Sequence, residues 1–271
     1  MFKMGKMKKL LEVIRKVVRN PSVLNKLVDD PDGMESRVRG IHGRSQGLPT
    51  VDLLDLFPKC DTVVDPYSFL EGTSLVSDIA LLNLLAASLK NCEYLEIGSW
   101  RGESLANVSK YAKHCTSISL SHEELRGIGA SDEFIKAHNV FVPKNDNVTY
   151  IGHNSQTFDF ESLGKKFDLI FVDGDHRYQG VKIDTANVFK LLKDDNSVIV
   201  WHDYGFSPET VRWSVLAGIL DGTPDGCRKY LYHISNTLCA VYTKRELPGV
   251  FVKFPTRPNK SFSLRISADR L

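Results

Sequence analysis

The feature that most constrains the fold is a series of short, continuous apolar runs that alternate with helical patterns between residues 74 and 201. Runs such as "LIFV" and "VIVW" lack the alternation of apolar and polar residues that marks a half-exposed antiparallel strand. Continuous apolar strands are typical of a parallel sheet that helices cover on both faces. The pattern therefore predicts an α/β protein with a doubly wound, mostly parallel sheet.

The predicted elements follow from the spacing of the apolar residues. A helix over "SLVSDIALLNLLAASLK" opens the alternating region, and a later helix is predicted near 208–221. "SHEEL" places Ser121 and Glu124 at the S-x-x-E spacing of a capping box, which supports a helix start there. Two apolar runs in "KYLYHISNTLCAVYTK" predict a terminal hairpin. The other strands are predicted at 94–98, 116–120, 148–152, 168–172 and 197–201, and the helices at 102–112, 121–137 and 178–193.

The chain divides into three parts. Residues 1–73 hold a basic helix, a connector at 29–50 and a candidate lid at 63–75, residues 74–245 form the α/β domain, and residues 246–271 form a tail with a short strand at "FSLRISA". "MFKMGKMKKLLEVIRKVVRN" combines an apolar stripe with Lys and Arg on the other face. We expect this helix to pack on its own domain or on a second subunit, with an anionic membrane surface as the alternative.

The composition excludes several classes of protein. A formal net charge of +2 over 271 residues is too small for a general nucleic-acid-binding surface. The five cysteines show no C-x-x-C spacing, which argues against a disulfide framework and a thiolate metal site. No apolar stretch approaches the roughly 18 residues of a membrane span. We therefore expect a soluble, cytoplasmic protein that does not bind nucleic acid.

A strand, a tight glycine turn and a helix stand in "EYLEIGSWRGESLANVSKYA". Gly98 and Gly102 allow a sharp bend, and the helix that starts near Gly102 offers free N–H groups to a ligand. The spacing is E-x-G-x-x-x-G rather than the G-x-G-x-x-G of dinucleotide sites, with Glu96 in place of the first glycine. A carboxylate at this position repels a pyrophosphate and suits a cofactor that carries an ammonium or sulfonium group.

Two apolar strands each end at a cluster of acids and histidine. Asp173, Asp175 and His176 follow "LIFV", and His202 and Asp203 follow "SVIVW". Because ligands bind outside the carboxyl ends of the strands in open α/β sheets, we expect the two clusters to meet over one crevice. The plainer alternative is that Asp173 caps the next helix and that His202 is a buried, hydrogen-bonded imidazole.

The two motifs "LEIGSWRGES" and "FDLIFVDGDHRYQGVKIDTANVFKLLKDDNSVIVWHDY" together resemble the class I S-adenosylmethionine-dependent methyltransferases. The similarity is to the small-molecule O-methyltransferases of the macrolide-sugar and catechol type, which are metal-assisted, and it covers roughly residues 70–243. It implies a Rossmann-like, seven-stranded sheet with an antiparallel last strand. It also implies S-adenosylmethionine as the cofactor and a small hydroxylated molecule or sugar as the acceptor.

The resemblance implies where the cofactor binds. Ser119 stands where family members usually place an acid for the ribose hydroxyls, and "GHNS" replaces the family's "GDS" after the third strand. Glu123 is expected to compensate for the missing acid. The expected cofactor-binding residues are Glu96, Gly98, Ser99, Gly102, Ser119, Asn154, Ser155 and Asp173.

The resemblance also implies roles in catalysis. Asp173, His202 and Asp203 match the ligands of a divalent metal, Mg²⁺ or Mn²⁺, with His202 where relatives carry an acid. Imidazole suits Mn²⁺ better than Mg²⁺. Asp175 matches the base that removes the hydroxyl proton, and His176 is the rival because an imidazole titrates near neutral pH.

Two other functions are compatible with the sequence. A nicotinamide-dependent oxidoreductase is disfavoured by Glu96 and by the missing third glycine. A binding module that kept the fold and lost the chemistry is conceivable because of Ser119. Trp100 and Tyr204 are expected either to line the pocket or to pack beside the strand ends. A homo-oligomer is expected to form through the N-terminal helix.

Overall fold

The computed structural model describes residues 2–19 and 33–270, with side chains from residue 7 onward in the first range. The strands are β1 Thr50–Val51, β2 Glu93–Ile97, β3 His114–Ser119, β4 Val148–Gly152, β5 Leu169–Val172, β6 Val198–Trp201, β7 Gly205–Ser207, β8 Thr210–Val211, β9 Leu231–Ile234 and β10 Ala240–Thr243. The helices are α1 Phe2–Arg19, α2 Met34–His42, α3 Leu53–Leu56, α4 Val76–Ser88, α5 Glu103–Val108, α6 His122–Gly127, α7 Asp132–Ala137, α8 Tyr178–Phe189 and α9 Trp213–Gly222.

One sheet has the strand order β1-β9-β10-β6-β5-β2-β3-β4, and β7 and β8 form a separate hairpin. β10 runs antiparallel to both of its neighbours, and the other pairs of the large sheet are parallel. This confirms the predicted doubly wound, Rossmann-like α/β fold with an antiparallel last strand. The sheet has one strand more than predicted, the edge strand β1. Its two residues, Thr50 and Val51, are too few to show a periodic apolar pattern, so the sequence did not predict it.

The two faces of β5 explain why its sequence is continuously apolar. Ile170 and Val172 belong to one core layer together with residues of α8 and α9, whereas Leu169 and Phe171 belong to the other layer with residues of α4 and α5. All four side chains are at most 5% exposed. A strand buried in this way needs apolar residues on both faces, so polar residues are confined to its ends.

The stretch predicted as a connector contains α2, which packs on α9. Asp221 on α9 accepts hydrogen bonds from Arg37 at 2.6 Å and from Tyr178 at 2.6 Å, and it lies 2.8 Å from Nε2 of His42. Val38 is the fully buried apolar residue of α2. Because polar contacts with Asp221, whose side chain is 10% exposed, hold much of this helix, few apolar residues mark it in the sequence. Residues 29–32 of the predicted connector lie outside the described residues.

Helix α1 is formed, but its apolar side chains do not pack on the α/β domain. Met7, Leu10, Leu11, Ile14 and Val18 are between 50% and 74% exposed. None of the helices described here combines the length and the apolar character that a bilayer crossing requires. At the other end of the chain, residues 251–270 contain neither helix nor strand, so the strand expected at "FSLRISA" is not formed.

Candidate functional site

The carboxyl ends of β2, β5 and β6 lie side by side at one edge of the sheet. The N–H of Asp173 donates to the carbonyl of Ile97 at 2.7 Å, and the N–H of His202 donates to the carbonyl of Val172 at 3.0 Å. The two groups of acids and histidine therefore project from neighbouring strands into one region. The glycine turn at Gly98 follows β2 at the same edge.

Four side chains at this edge form what we call the rim cluster: Asp173, His176, His202 and Asp203. Nδ1 of His176 lies 3.0 Å from Oδ2 of Asp203, and its Nε2 lies 3.4 Å from Oδ1 of Asp173. Nδ1 of His202 lies 3.1 Å from Oδ1 of Asp173 and 3.5 Å from Oδ1 of Asp203. Arg212 adds a further cation at 3.1 Å from Asp203.

Asp78 on α4 contacts His202 of the rim cluster on the side opposite Asp173. No sequence motif marks this residue. Its Oδ2 lies 3.1 Å from Nε2 of His202, and the residue is fully buried. Oδ2 also accepts the N–H of Leu75 at 2.8 Å, and Oδ1 accepts the N–H of Leu238 at 2.8 Å. Asp78 and Asp173 therefore hold His202 from its two sides. The one signal in the sequence is that Asp78 is the single charged residue of the apolar helix α4.

The charges of the rim cluster shift one another's pKa. Burial lowers the pKa of His202, but Asp173 and Asp78 outweigh it and hold that pKa well above its ordinary value. Burial also opposes protonation of His176, yet Asp173 and Asp203 raise its pKa to about 9. Burial raises the pKa of Asp173 and of Asp203, and the two imidazoles lower both further than burial raises them. The two imidazoles and the carboxylates of Asp173 and Asp203 therefore stabilise one another's charged forms.

Asp175 is engaged outside the rim cluster. Its carboxylate accepts hydrogen bonds from the guanidinium of Arg177 at 2.9 and 2.7 Å and from Gln156 at 3.2 Å. It also accepts the N–H of Arg177 at 3.0 Å, directly before α8. Burial raises the pKa of Asp175, but the contacts with Arg177 outweigh it and hold that pKa below its ordinary value. Asp175 thus has the local hydrogen bond at the helix start that the sequence suggested for Asp173.

The glycine turn packs against the loop that carries Asp173. Gly98 and Gly102 have φ of 85° and 88°, in the left-handed region that favours glycine. A Cβ atom on Gly98 would lie 2.3 Å from the carbonyl oxygen of Asp173, and one on Gly102 would lie 2.5 Å from Val142. The close contacts that require glycine at these two positions are therefore contacts with other parts of the protein rather than with a ligand. It fixes the turn relative to the rim cluster.

Glu96 is fully buried. The hydroxyl of Tyr94 donates to its Oε2 at 2.7 Å. Burial raises the pKa of Glu96 to about 7, against hydrogen bonds from Tyr94 and Ser104 that lower it. The carboxyl group expected to attract a cationic cofactor is therefore only partly ionised at neutral pH in the free protein.

The capping box predicted at the start of α6 is formed and also holds the loop after β4. The N–H of Ser121 donates to Glu124 at 2.9 Å, and the N–H of Asn154 donates to the other carboxylate oxygen at 3.1 Å. Ser155 follows in the same loop and is half-buried. Glu123 is exposed. Glu124, rather than Glu123, is therefore the acid that joins the two loops.

The end of β3 carries a polar group beside the glycine turn. The hydroxyl of Ser119 donates to the carbonyl of Ser99 at 2.9 Å, and Nε2 of His138 lies 3.1 Å from the same oxygen. The N–H of Asn139 donates to the carbonyl of Trp100 at 2.6 Å. Within the described part of the chain, Oδ1 of Asn139 and Nε1 of Trp100 have no hydrogen-bond partner. One acceptor and one donor are thus available beside the turn.

The candidate lid, residues 63–75, is bound to the glycine turn and to α5. Arg101 donates to the hydroxyl of Thr73 at 2.9 Å, and Glu103 accepts the N–H of Ser68 at 2.9 Å. Both charged residues are 7% exposed. Because α4 follows this segment directly, the segment connects the glycine turn to the helix that carries the acid behind the rim cluster.

The two aromatic residues named from the sequence have packing roles. Trp100 stacks on Phe134 with 5.2 Å between ring centroids, and the guanidinium of Arg101 lies 3.9 Å above its ring. Tyr204 is 3% exposed, and its hydroxyl accepts the N–H of Leu48 at 2.9 Å. Trp100 therefore borders the turn, whereas Tyr204 belongs to the core.

Asp173, His176 and Asp203 each offer one potential metal-ligand atom, and the three atoms lie within 4.8 Å of one another. This set contains His176 where the sequence suggested His202, whose two ring nitrogens face Asp78 and Asp173. Two carboxylates and one imidazole suit Mn²⁺, Fe²⁺ or Zn²⁺. A cation at this position has to displace the proton of His176, since metal ligands must be deprotonated.

Residues 95–204 match a family model described as a methyltransferase domain. The match spans β2 to the end of β6 and includes the glycine turn and the rim cluster. The similarity is thus to a methyltransferase domain, over 110 of the 271 residues. An uncharacterized protein of Acanthamoeba polyphaga mimivirus is 29% identical over 126 residues, which are 45% of this chain and 53% of that protein. The chain thus spans about half the length of this curated relative.

Solved structures similar to this chain include two methyltransferases. One is an amino pentose methyltransferase from Micromonospora echinaspora involved in calicheamicin biosynthesis, with 18% identity, 48% of this chain and 51% of that chain covered, and a TM-score of 0.35. The other is the N-methyltransferase NodS from Bradyrhizobium japonicum, with 17% identity, coverage of 61% and 92%, and a TM-score of 0.38. These values are too low to indicate a shared substrate.

Proposed function

We propose that this protein is an S-adenosylmethionine-dependent methyltransferase that methylates a hydroxyl group of a small molecule or sugar. The observation that supports it most is the position of the rim cluster, beside a glycine turn and inside the stretch that matches a methyltransferase domain. A hydroxyl is a poor nucleophile until its proton is removed, so oxygen methylation calls for a base or a cation next to the acceptor. The rim cluster contains groups suited to both tasks.

The residues around the glycine turn fit S-adenosylmethionine. Oδ1 of Asn139 and Nε1 of Trp100 are an acceptor and a donor for a ligand with many polar groups. Asp173, and Glu96 in its ionised form, supply negative charge for a cofactor that carries a sulfonium and an ammonium group. When bound, the cofactor supplies an electrophilic methyl group. The remaining residues proposed to surround it are Gly98, Ser99, Gly102, Ser119, Asn154 and Ser155.

We propose His176 as the group that takes the hydroxyl proton, ahead of Asp175. Asp203 orients the imidazole through Nδ1, as carboxylates orient the base of other acid–base pairs, while the Asp175 carboxylate is held by Arg177. S-adenosylmethionine held beside the glycine turn would supply the methyl group and would leave as the neutral thioether, and Nε2 of His176 would take the proton of the acceptor hydroxyl. Because the pKa of His176 is about 9 in the free protein, His176 acts as a base only in its deprotonated form, and the positive charge of a bound sulfonium would favour that form.

A divalent cation on Asp173, His176 and Asp203 is a second form of the same proposal, supported by the short distances between their ligand atoms. Such a cation would orient the hydroxyl and lower its pKa. His202 would then remain between Asp78 and Asp173 as an orienting group, and Asp175 would be the remaining candidate for the base.

An acceptor screen by product mass tests the proposal. The protein is incubated with S-adenosylmethionine and panels of sugars, phenols, alcohols and amines, with either added Mn²⁺ or a chelator. Methylation of a hydroxyl compound supports the proposal, and methylation confined to amines contradicts it. Loss of activity in the chelator, restored by Mn²⁺, selects the cation-assisted form. Full activity in the chelator selects the form in which His176 alone takes the proton.

A further inference from the structure

Helix α1 carries an apolar surface that the α/β domain leaves open. Each residue advances about 100° around a helix, so residues three, four and seven apart share a face. On this basis, over residues 7–19, one arc of roughly 120° is entirely apolar and the opposite arc is charged. The apolar arc holds Met7, Leu10, Leu11, Ile14, Val17 and Val18, and the charged arc holds Lys8, Lys9, Glu12, Arg15, Lys16 and Arg19.

The charge of α1 is almost entirely of one sign. Glu12 is the single acid in the helix. The bases are Lys3, Lys6, Lys8, Lys9, Arg15, Lys16 and Arg19. If two copies of α1 paired through their apolar arcs, bases would flank both sides of the contact with few acids to offset them. Like charges beside a helix pair are destabilising, so the charge pattern disfavours self-association.

An anionic bilayer complements both arcs of the helix at once. A helix of this kind lies in the plane of the interface, with its apolar side about 5–10 Å deep among the headgroups and acyl chains and its basic side among the lipid phosphates and carboxylates. We propose that α1 docks this protein onto an anionic membrane surface. The α/β domain stays in water beside the membrane, and the binding is reversible. This inference does not depend on the chemistry of the rim cluster.

Co-sedimentation of the full chain with vesicles tests the proposal. One vesicle type is an equal mixture of phosphatidylserine and phosphatidylcholine, and the other is pure phosphatidylcholine. The wild-type protein is expected to sediment with the mixed vesicles and to stay in solution with the pure ones. Added salt should release it, since screening shortens the reach of the lipid charge to below about 10 Å above 0.1 M.

Paired variants separate the two arcs. Leu11→Ser with Ile14→Ser removes apolar contact and is expected to abolish binding. Lys8→Gln with Arg15→Gln removes two basic residues and is expected to weaken binding at least tenfold, since each base near an anionic surface accounts for about fivefold in affinity. Circular dichroism and thermal unfolding establish that each variant keeps the fold of the α/β domain.

Two controls test whether the effect of charge on vesicle binding is specific to the bases of α1. Glu12→Gln leaves the basic residues in place and is expected to bind as well as the wild type or better. Lys59→Gln with Lys90→Gln removes two exposed bases elsewhere and should bind as the wild type does. The proposal is overturned if the wild type does not bind the mixed vesicles, or if the Leu11/Ile14 variant binds them equally well. It is also overturned if α1 instead forms a dimer in solution that this variant dissociates, with no vesicle binding.

Discussion

Asp78 and His202 are 124 positions apart in the sequence, yet Oδ2 of Asp78 lies 3.1 Å from Nε2 of His202. The pair joins α4, which follows the candidate lid, to the end of β6 at the rim cluster. Because Asp78 also accepts two backbone N–H groups, its position is fixed independently of the histidine. We infer that Asp78 is a positioning residue, which sets the orientation and the charge of His202.

Replacing Asp78 with Asn is expected to lower both the pKa of His202 and turnover. Both carboxylate oxygens of Asp78 accept hydrogen bonds, whereas an amide accepts on one side only, so one buried N–H would face an NH₂ group at a cost of about 1–3 kcal/mol. NMR titration of the histidines should show the pKa of His202 falling toward its ordinary value. Asp221→Asn is the matched control, because it breaks another carboxylate network that has no hydrogen bond or ion pair with the rim cluster. It should reduce stability and leave kcat unchanged.

The raised pKa of His202 also predicts the direction of a stability change with pH. The folded state binds the proton of His202 more tightly than the unfolded state does, so the ion pairs with Asp78 and Asp173 contribute fully below the ordinary histidine pKa. This contribution is lost as pH rises through the raised pKa of the folded state. Asp78→Asn should reduce the loss, and an unchanged pKa of His202 in that variant would contradict the positioning role.

The choice between His176 and Asp175 as base is tested by comparing two variants. His176→Gln is expected to lower kcat by about 10²–10⁴, the usual contribution of general base catalysis. Asp175→Asn should have a much smaller effect, because Arg177 already occupies that carboxylate. Cofactor affinity measured by calorimetry should change little in either variant. The reverse order of kcat losses would assign the base to Asp175.

The raised pKa of Glu96 predicts that the free energy of unfolding falls as pH rises. Its folded-state pKa of about 7 lies above the ordinary value of 4.5, so the folded state retains a proton that the unfolded state releases. The contribution to stability is complete below the ordinary pKa and falls by roughly 2 kcal/mol between about pH 5 and about pH 8. Glu96→Gln should remove this dependence, since Gln is neutral and its oxygen can still accept from Tyr94. Urea unfolding at the two pH values measures the change in unfolding free energy. An equal change in the wild type and in Glu96→Gln would contradict the prediction.

The glycine turn is tested by two alanine substitutions at glycines with similar φ. Gly98→Ala adds a Cβ atom 2.3 Å from the carbonyl of Asp173, so it is expected to cost about 3 kcal/mol or more of unfolding free energy. Gly129 has φ of 87° and no atom within 4 Å of the added Cβ. Gly129→Ala should therefore cost only about 1 kcal/mol, from the backbone conformation alone. Equal losses in denaturant unfolding would show that the contact with the Asp173 loop is not tight.

The sheet could be predicted because burial on both faces leaves a signal in consecutive residues, as in Leu169 to Val172. The same reasoning located Asp173 and His202, since polar residues appear where a buried strand ends. It did not identify Asp78, because the apolar pattern of α4 reports burial and does not show that one acid reaches a strand end far along the chain. The extra strand at Thr50 and Val51 is likewise too short for any periodic signal.

The roles of adjacent residues in one loop were harder to predict. Asp175 and His176 are neighbours, but the backbone directs the first to Arg177 and the second to the rim cluster. The sequence contains both chemical groups and no information on which one faces inward. Asp203 is similar, since its φ of 56° belongs to a strained conformation that the sequence does not signal.

Titration calorimetry with S-adenosylmethionine and with its demethylated product, S-adenosylhomocysteine, tests the central claim most directly. The wild-type protein, shown to be folded by its thermal transition, is predicted to bind each with one-to-one stoichiometry and to give no heat with NADH. Gly98→Ala should weaken both, provided that the variant is folded under the same conditions. Binding of NADH, or the absence of heat with both adenosyl compounds on folded protein, would contradict the assignment.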